Sequence, residues 1–234
     1  MLDWERTQSF FRQFIEGKYY LTLIEGIEQT LLITALAMVI GVIIGIIIAV
    51  IQVMELPSKW RTLDKVLKRI AKLYVDIIRG TPAVAQVSFI WFVILANVEL
   101  SRTIVGGIAF GINSGAYMAE LIRAGIQGID KGQMEAGRSL GLNYLQTMRY
   151  IITPQAFKQM LPAFVSEFIN LIKETAVIGY IGGFDIMRAG NIMTAQIGNA
   201  IYPLLMVCIA YLVLTGILTK IARALEKRIS QGRP

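Results

Sequence analysis

Two sets of polar residues interrupt stretches that are otherwise apolar, and their types and spacing suit the passage of a small zwitterion. In the stretch 162–182, Glu167, Asn170 and Glu174 recur at i, i+3 and i+7, which puts them on one face of a helix, with Lys173 beside Glu174. In 103–122, Asn113 and Tyr117 form an i, i+4 pair, with Ser114 adjacent and Glu120 a turn further on. An ionisable group at bilayer depth costs about 2.5–3.5 kcal/mol on insertion scales, and it ordinarily faces a partner or a watery cavity. Two readings are open for either Glu. It can pair with Lys173 or a helix end and fix packing. Alternatively, the carboxylates face the ammonium group of a cargo while the Asn and Tyr side chains offer hydrogen bonds. Two Glu against one Lys leave the stripe slightly acidic, which favours an amino group on the cargo.

Other chemistries are excluded by what is missing. With no His there is no imidazole ligand, no Ser-His triad and no histidine relay. A lone Cys208 allows neither an intrachain disulfide nor a thiolate metal cluster. No G-x-x-x-x-G-K-[ST] occurs, so ATP hydrolysis is not expected on this chain, and no metal or cofactor is expected in it.

The most informative polar stretch runs from Gly128 through Asn143. Asp130 can cap a helix with Gln133 at its third position, and Gly141 followed by Leu142 is a suitable stop, which predicts a short helix over 131–140. Asn143 and Gln146 then offer a second N-terminal cap, so two helices meet at a Gly-centred corner. Such a helix can serve as a lever seated in another protein's groove, or simply be a tidy loop.

The elements that must position these residues are membrane helices. The 234 residues are 55% hydrophobic and only 17% charged, with a mean hydropathy of +0.59. From Gln29 to Met54 no Asp, Glu, Lys or Arg appears, a length that crosses a hydrocarbon core of roughly 30 Å. Apolar runs predict five spans, at about 29–54, 81–97, 103–122, 162–182 and 200–219, in one all-α integral membrane domain covering 1–234. Small residues recur every fourth position in two of them: Ala37, Gly41, Gly45 and Ala49, then Gly107, Gly111, Gly115 and Ala119. These ridges are assigned to close helix packing. Residues 1–25 mix Asp3, Glu5, Arg6 and Arg12 with Trp4, Phe10, Phe11 and Phe14, and read as an amphipathic surface helix or a plain solvated leader. The stretch 58–79 reads as an interfacial helix, or as the first half of the second span bent at Pro82.

Charge then sets the topology. Between the predicted spans the basic residues number three, seven, one, five, one and five, the last five including Arg233, so the two sides hold five and seventeen. The richer side is cytoplasmic by the positive-inside rule, which places the N-terminus outside and the C-terminus inside and agrees with an odd number of spans. The net charge of +7 thus reports topology, and no nucleic-acid partner is expected.

The run Glu135-Ala136-Gly137, then Gly141, Ile151 and Pro154 resembles the EAA loop of bacterial ABC importer permeases: E-A-A, three residues, G, nine residues, I, one residue, L-P. Gly137 stands for the third small residue, and Thr153 for the Leu before Pro154. The runs 78–82, 113–117, 120–125, 131–133, 154–157 and 171–175, with Ile181 and Gly182, resemble the polar amino acid branch of these permeases. The resemblance covers most of 26–228.

It implies the type I importer fold in the bacterial cytoplasmic membrane, with a second permease subunit, identical or a sister. It also implies two cytoplasmic ATPase subunits, which carry ATP and Mg, and an extracellular or periplasmic amino acid-binding protein. Carried over residue by residue, Glu135, Ala136, Gly137 and Gly141 become ATPase-coupling positions, with Arg138 and Leu140 as additions. Asn113, Ser114, Tyr117, Glu167, Asn170, Lys173 and Glu174 become the substrate pathway. The rival function is an ion-coupled secondary amino acid carrier, with Glu167 and Glu174 as ion sites and no ATPase.

Overall fold

The computed structural model describes residues 4–231, among which every regular element is helical. Asp3 and Arg233 lie outside the described residues. The chain forms two compact units. The first comprises residues up to Ala37, Ala83–Phe110 and Ile169–Thr219; the second comprises Met38–Pro82, Gly111–Phe168 and Lys220 onward.

The first unit opens with α1 (Trp4–Glu16), a helix within the stretch 1–25. Phe10 is buried and stacks on Tyr202 at 5.2 Å between ring centroids, and the hydroxyls of Thr7 and Tyr202 lie 3.0 Å apart. Trp4, Phe11 and Ile15 remain exposed. After a turn at Lys18, whose φ is 54°, α2 runs from Tyr19 to Val53 and carries both Thr30 and Thr34 fully buried. Thr34 Oγ1 donates to the Thr30 carbonyl at 2.8 Å, and Thr30 Oγ1 accepts the Ile186 N–H at 3.3 Å.

Later in the chain lie α3 (Arg61–Gly80), α4 (Ala83–Phe89) and α5 (Arg102–Gln127). They are followed by α6 (Lys131–Ser139), α7 (Tyr144–Thr147), α8 (Thr153–Glu174), α9 (Ile186–Ile197) and α10 (Ile201–Gln231). Asp185, fully buried, caps α9 by accepting the N–H groups of Met187 and Arg188 at 3.1 and 2.8 Å, and it also accepts the Tyr211 hydroxyl at 3.1 Å. Burial pushes its carboxyl above the ordinary carboxylate range, although these three donors pull the other way.

In the second unit the small-residue ridges of α2 and α5 pack on each other. A Cβ on Gly41 would meet the Ser114 side chain at 3.0 Å, one on Gly45 would collide with Met118, and one on Gly115 would meet Ile44 at 2.8 Å. Tyr74 of α3 locks onto the same helix, its hydroxyl donating to the Ile112 carbonyl at 2.6 Å. Ala71 and Val75 of α3 are buried, whereas Leu63, Val66, Ile70, Leu73 and Ile77 form an exposed apolar stripe.

Element boundaries depart from the expected spans for local reasons. The 81–97 segment yields α4 and then a wide turn, Ile90–Ile94, closed by the Leu95 N–H bonding to Ile90 five residues back. The helix expected over 162–182 begins at Thr153, directly after the wide turn Met148–Ile152, and ends as a 3₁₀ stretch, Thr175–Ile181, stopped by Gly182 at φ 73°. Among the described residues two helices are long and apolar enough by themselves to cross a membrane, Tyr19–Val53 and Ile201–Arg228; the bent pair Ser58–Gly80 and Ala83–Ile94 makes a third if taken as one span. The polar residues carried by α5 and α8 make those helices less apolar.

Candidate functional site

The corner between α6 and α7 is built by backbone chemistry that the residue types dictate. Asp130, in an extended conformation, accepts the Gly132 N–H at 2.7 Å and starts α6, which spans Lys131–Ser139, one residue short of the expected end. At the other end the N–H of Leu142 reaches the Gly137 carbonyl at 3.2 Å, and the N–H of Gly141 reaches Arg138 at 3.0 Å. This paired closure requires a left-handed residue, which Gly141 supplies at φ 85°. Asn143 and Gln146 then form a reciprocal box: Asn143 Oδ1 accepts the Gln146 N–H at 2.9 Å, and Gln146 Oε1 accepts the Asn143 N–H at 2.8 Å.

Two further contacts make the corner rigid. Gly137 is buried, and a Cβ there would meet the Thr147 γ-methyl at 2.5 Å. Gln155 Nε2 of α8 donates to Gln133 Oε1 of α6 at 3.2 Å. Between α7 and α8 the chain takes a wide turn, Met148–Ile152, in which the Thr153 N–H bonds to the Met148 carbonyl; the next residue, Pro154, has no N–H to offer.

The outcome is a helix held from beneath with one face in solvent. Glu135, Ala136, Arg138, Leu140 and Gly141 are exposed, and Leu140 is 80% exposed. A leucine standing that far into water gains roughly 1.5–3 kcal/mol on full burial, which suits a surface meant for another protein.

The polar pathway candidates are divided between the two units: Asn113, Ser114, Tyr117 and Glu167 belong to the second, and Asn170, Lys173 and Glu174 to the first. Along α8 the expected one-face spacing of Glu167, Asn170 and Glu174 holds, since the helix is unbroken from Thr153 to Glu174. Glu167 and Glu174 are half-buried, whereas Asn170 and Lys173 are exposed. On α5, Asn113 and Ser114 are buried and Tyr117 is half-buried. The Ser114 hydroxyl has no hydrogen-bond partner among the described residues.

Sequence reasoning missed the Arg79 guanidinium, which lies over the Tyr117 ring, 5.4 Å from its centroid. Nothing local links residues 38 apart, and the signal was confined to Arg79 standing in a motif. Glu120 turned out to be held by Arg123, whose Nε and Nη2 donate to its two oxygens at 3.1 and 2.5 Å. That fork raises the Arg123 pKa above its ordinary value.

Residues 41–231 match the family described as binding-protein-dependent transport system inner membrane component. Over 165 residues the chain is 39% identical to the arginine transport system permease protein ArtQ of Bacillus subtilis (strain 168), covering 70% of this chain and 75% of that protein. Over 167 residues it is 35% identical to the glutamine transport system permease protein GlnP of Escherichia coli (strain K12), covering 70% and 76%. The fold is similar to a chain in the crystal structure of an amino acid ABC transporter with histidines, with a TM-score of 0.82 and 35% identity over 97% of this chain and 99% of that one.

Proposed function

The chain belongs to the family of binding-protein-dependent transport system inner membrane components and is a permease subunit of an amino acid ABC transporter, and on that premise we propose that α6 couples it to a separate ATPase subunit. The carrying observation is the rigid corner that presents Glu135, Ala136, Arg138 and Leu140 to solvent, with Gly137 and Gly141 setting its geometry. ATP and Mg belong to the ATPase, and closure of the nucleotide-bound ATPase pair turns α6 as a rigid lever. The cargo is a polar amino acid, in keeping with the arginine and glutamine permeases among its relatives. It is delivered by an outer binding protein and passes Asn113, Tyr117, Glu167, Asn170, Lys173 and Glu174, with Ser114 alongside.

The whole chain acts as one transmembrane domain of five spans in the bacterial cytoplasmic membrane, N-terminus outside and C-terminus inside, beside a second permease subunit. The division into compact units supports this topology. Sorting the twenty-two Lys and Arg among the described residues by unit gives six in the first and sixteen in the second. The three basic-rich segments therefore cluster in space, as residues on one side of a membrane must.

Reconstitution tests the reading. Uptake of labelled glutamine or arginine into proteoliposomes is expected only when the ATPase, ATP and the binding protein are all present. Uptake driven by a proton or sodium gradient without the ATPase would overturn it in favour of the ion-coupled carrier.

A further inference from the structure

Beside α6 a groove opens in the second unit, lined by Glu55, Leu56 and Pro57 of the α2–α3 connection, by Met134 and Arg138 of α6, and by Tyr144 of α7. The connection is braced. The Leu56 N–H donates to Asp64 Oδ1 at 3.3 Å, Asp64 pairs with Lys68 at 3.0 Å, and the Trp60 N–H bonds to the Pro57 carbonyl at 2.8 Å. The Lys68 ammonium holds the Asp64 carboxyl below its ordinary range, so the brace is charged at neutral pH. On its open side Leu56 is 41% exposed. Glu55 and Arg138 are exposed, while Met134 and Tyr144 are half-buried between them.

A braced loop that holds a leucine in water, one wall away from the coupling helix, has the make-up of an interface. The groove offers apolar surface from Leu56, Met134 and Tyr144, with a carboxylate from the connection and a guanidinium from α6 at its rim. That combination suits a side chain with an apolar body and a polar tip. Arg138 belongs both to the groove and to the exposed face of α6, so a protein docked on that face reaches the groove without a gap.

We propose that the Glu55–Leu56–Pro57 connection is a second docking contact for the ATPase subunit, continuous with α6 through Arg138 and closed off by Tyr144. This inference rests on the reading of α6 as the coupling helix. It adds a contact from a different part of the chain, so that the first long helix and the corner are gripped by one partner.

The test uses the full permease in detergent and in proteoliposomes, with purified ATPase as the probe. Leu56→Asp and Glu55→Lys are expected to weaken ATPase binding about tenfold each, the usual size for an interface anchor, and to lower ATP-driven uptake, with thermal midpoint and oligomer size at the parent level. Glu135→Lys on α6 serves as the reference. If Glu135→Lys weakens binding and both connection variants bind as the parent does, the second contact is overturned and the coupling helix stands. If none of the three weakens binding, the coupling reading itself fails. Should Leu56→Asp lower the thermal midpoint, Leu56→Cys in a Cys208→Ser background decides instead. A bifunctional maleimide is expected to join it to the ATPase, and absence of that product overturns the inference.

Discussion

Gly137 of α6 and Thr147 of α7 approach so closely that a single added carbon on the glycine would lie 2.5 Å from the threonine methyl. Thr147 is fully buried and its hydroxyl donates to the Asn143 carbonyl at 3.0 Å, so it cannot turn away without losing the base of the corner. Gly137→Ala is therefore expected to cost about 1–3 kcal/mol through overpacking and to reduce ATP-driven uptake. Thr147→Ser keeps the hydroxyl and removes the methyl, so the double variant is expected to recover most of the loss. Additive losses in thermal unfolding would show that the two residues do not press on each other.

Gly141 presents the opposite case. Nothing lies within 4 Å of a Cβ built there, yet its φ is 85°. Gly141→Ala is expected to cost about 1–2 kcal/mol for backbone reasons alone, and Gly141→Asn distinctly less, because Asn tolerates the left-handed region. The ranking Gly, Asn, Ala should appear both in thermal midpoint and in coupled uptake. Equal behaviour of Asn and Ala would remove the left-handed requirement.

Asp185 gives stability a pH dependence whose sign follows from its burial. Its carboxyl is raised from the ordinary 3.8, so between about pH 4 and its folded value the native chain holds a proton that the unfolded chain has released. Stability from this residue is therefore greatest at acid pH and declines as pH rises through the folded value. Asp185→Asn keeps one oxygen, enough for the Arg188 N–H but not also for the Met187 N–H, which bonds to the other carboxylate oxygen, and it lacks the titration. Thermal midpoints measured from pH 4 to 8 should fall more steeply for the parent than for the variant, and parallel curves would count against the assignment.

Among the pathway candidates, Ser114 and Glu174 are expected to separate. The Ser114 hydroxyl is buried without a partner among the described residues, packed where Gly41 comes close. Ser114→Ala should leave uptake intact and leave stability unchanged or raise it by up to about 1 kcal/mol. Glu174→Gln should slow uptake about tenfold, equivalent to roughly 1.4 kcal/mol, with assembly unchanged. Parent-level transport by Glu174→Gln would return that residue to a packing role.

The corner was legible because its signals are local: Asp130, Gly141, Asn143 and Gln146 act on backbone groups within four residues of themselves, and α6 falls within one residue of the expected helix. The small-residue ridges were legible for a related reason, since a period of four residues on two helices specifies close packing before the partner is known. What could not be read is long-range or depends on competing turns. Arg79 meets Tyr117 across 38 residues, Leu56 lines one groove with Arg138 across more than twice that, and the wide turn at Ile90–Ile94 shortens a segment whose apolar run looked continuous. Asn170 and Lys173 share the polar stripe by spacing alone, and their exposure on α8 depends on what packs around the helix.

The greasy tip of α6 also bears on how such a machine is made. With Leu140 four-fifths in water, the docking proposed for α6 leaves that tip free to stick to other proteins until the ATPase subunit covers it. Cells that make the membrane part in excess are thus expected to lose it to clumping or proteolysis, so balanced synthesis of the two proteins matters as much as the sequence of either.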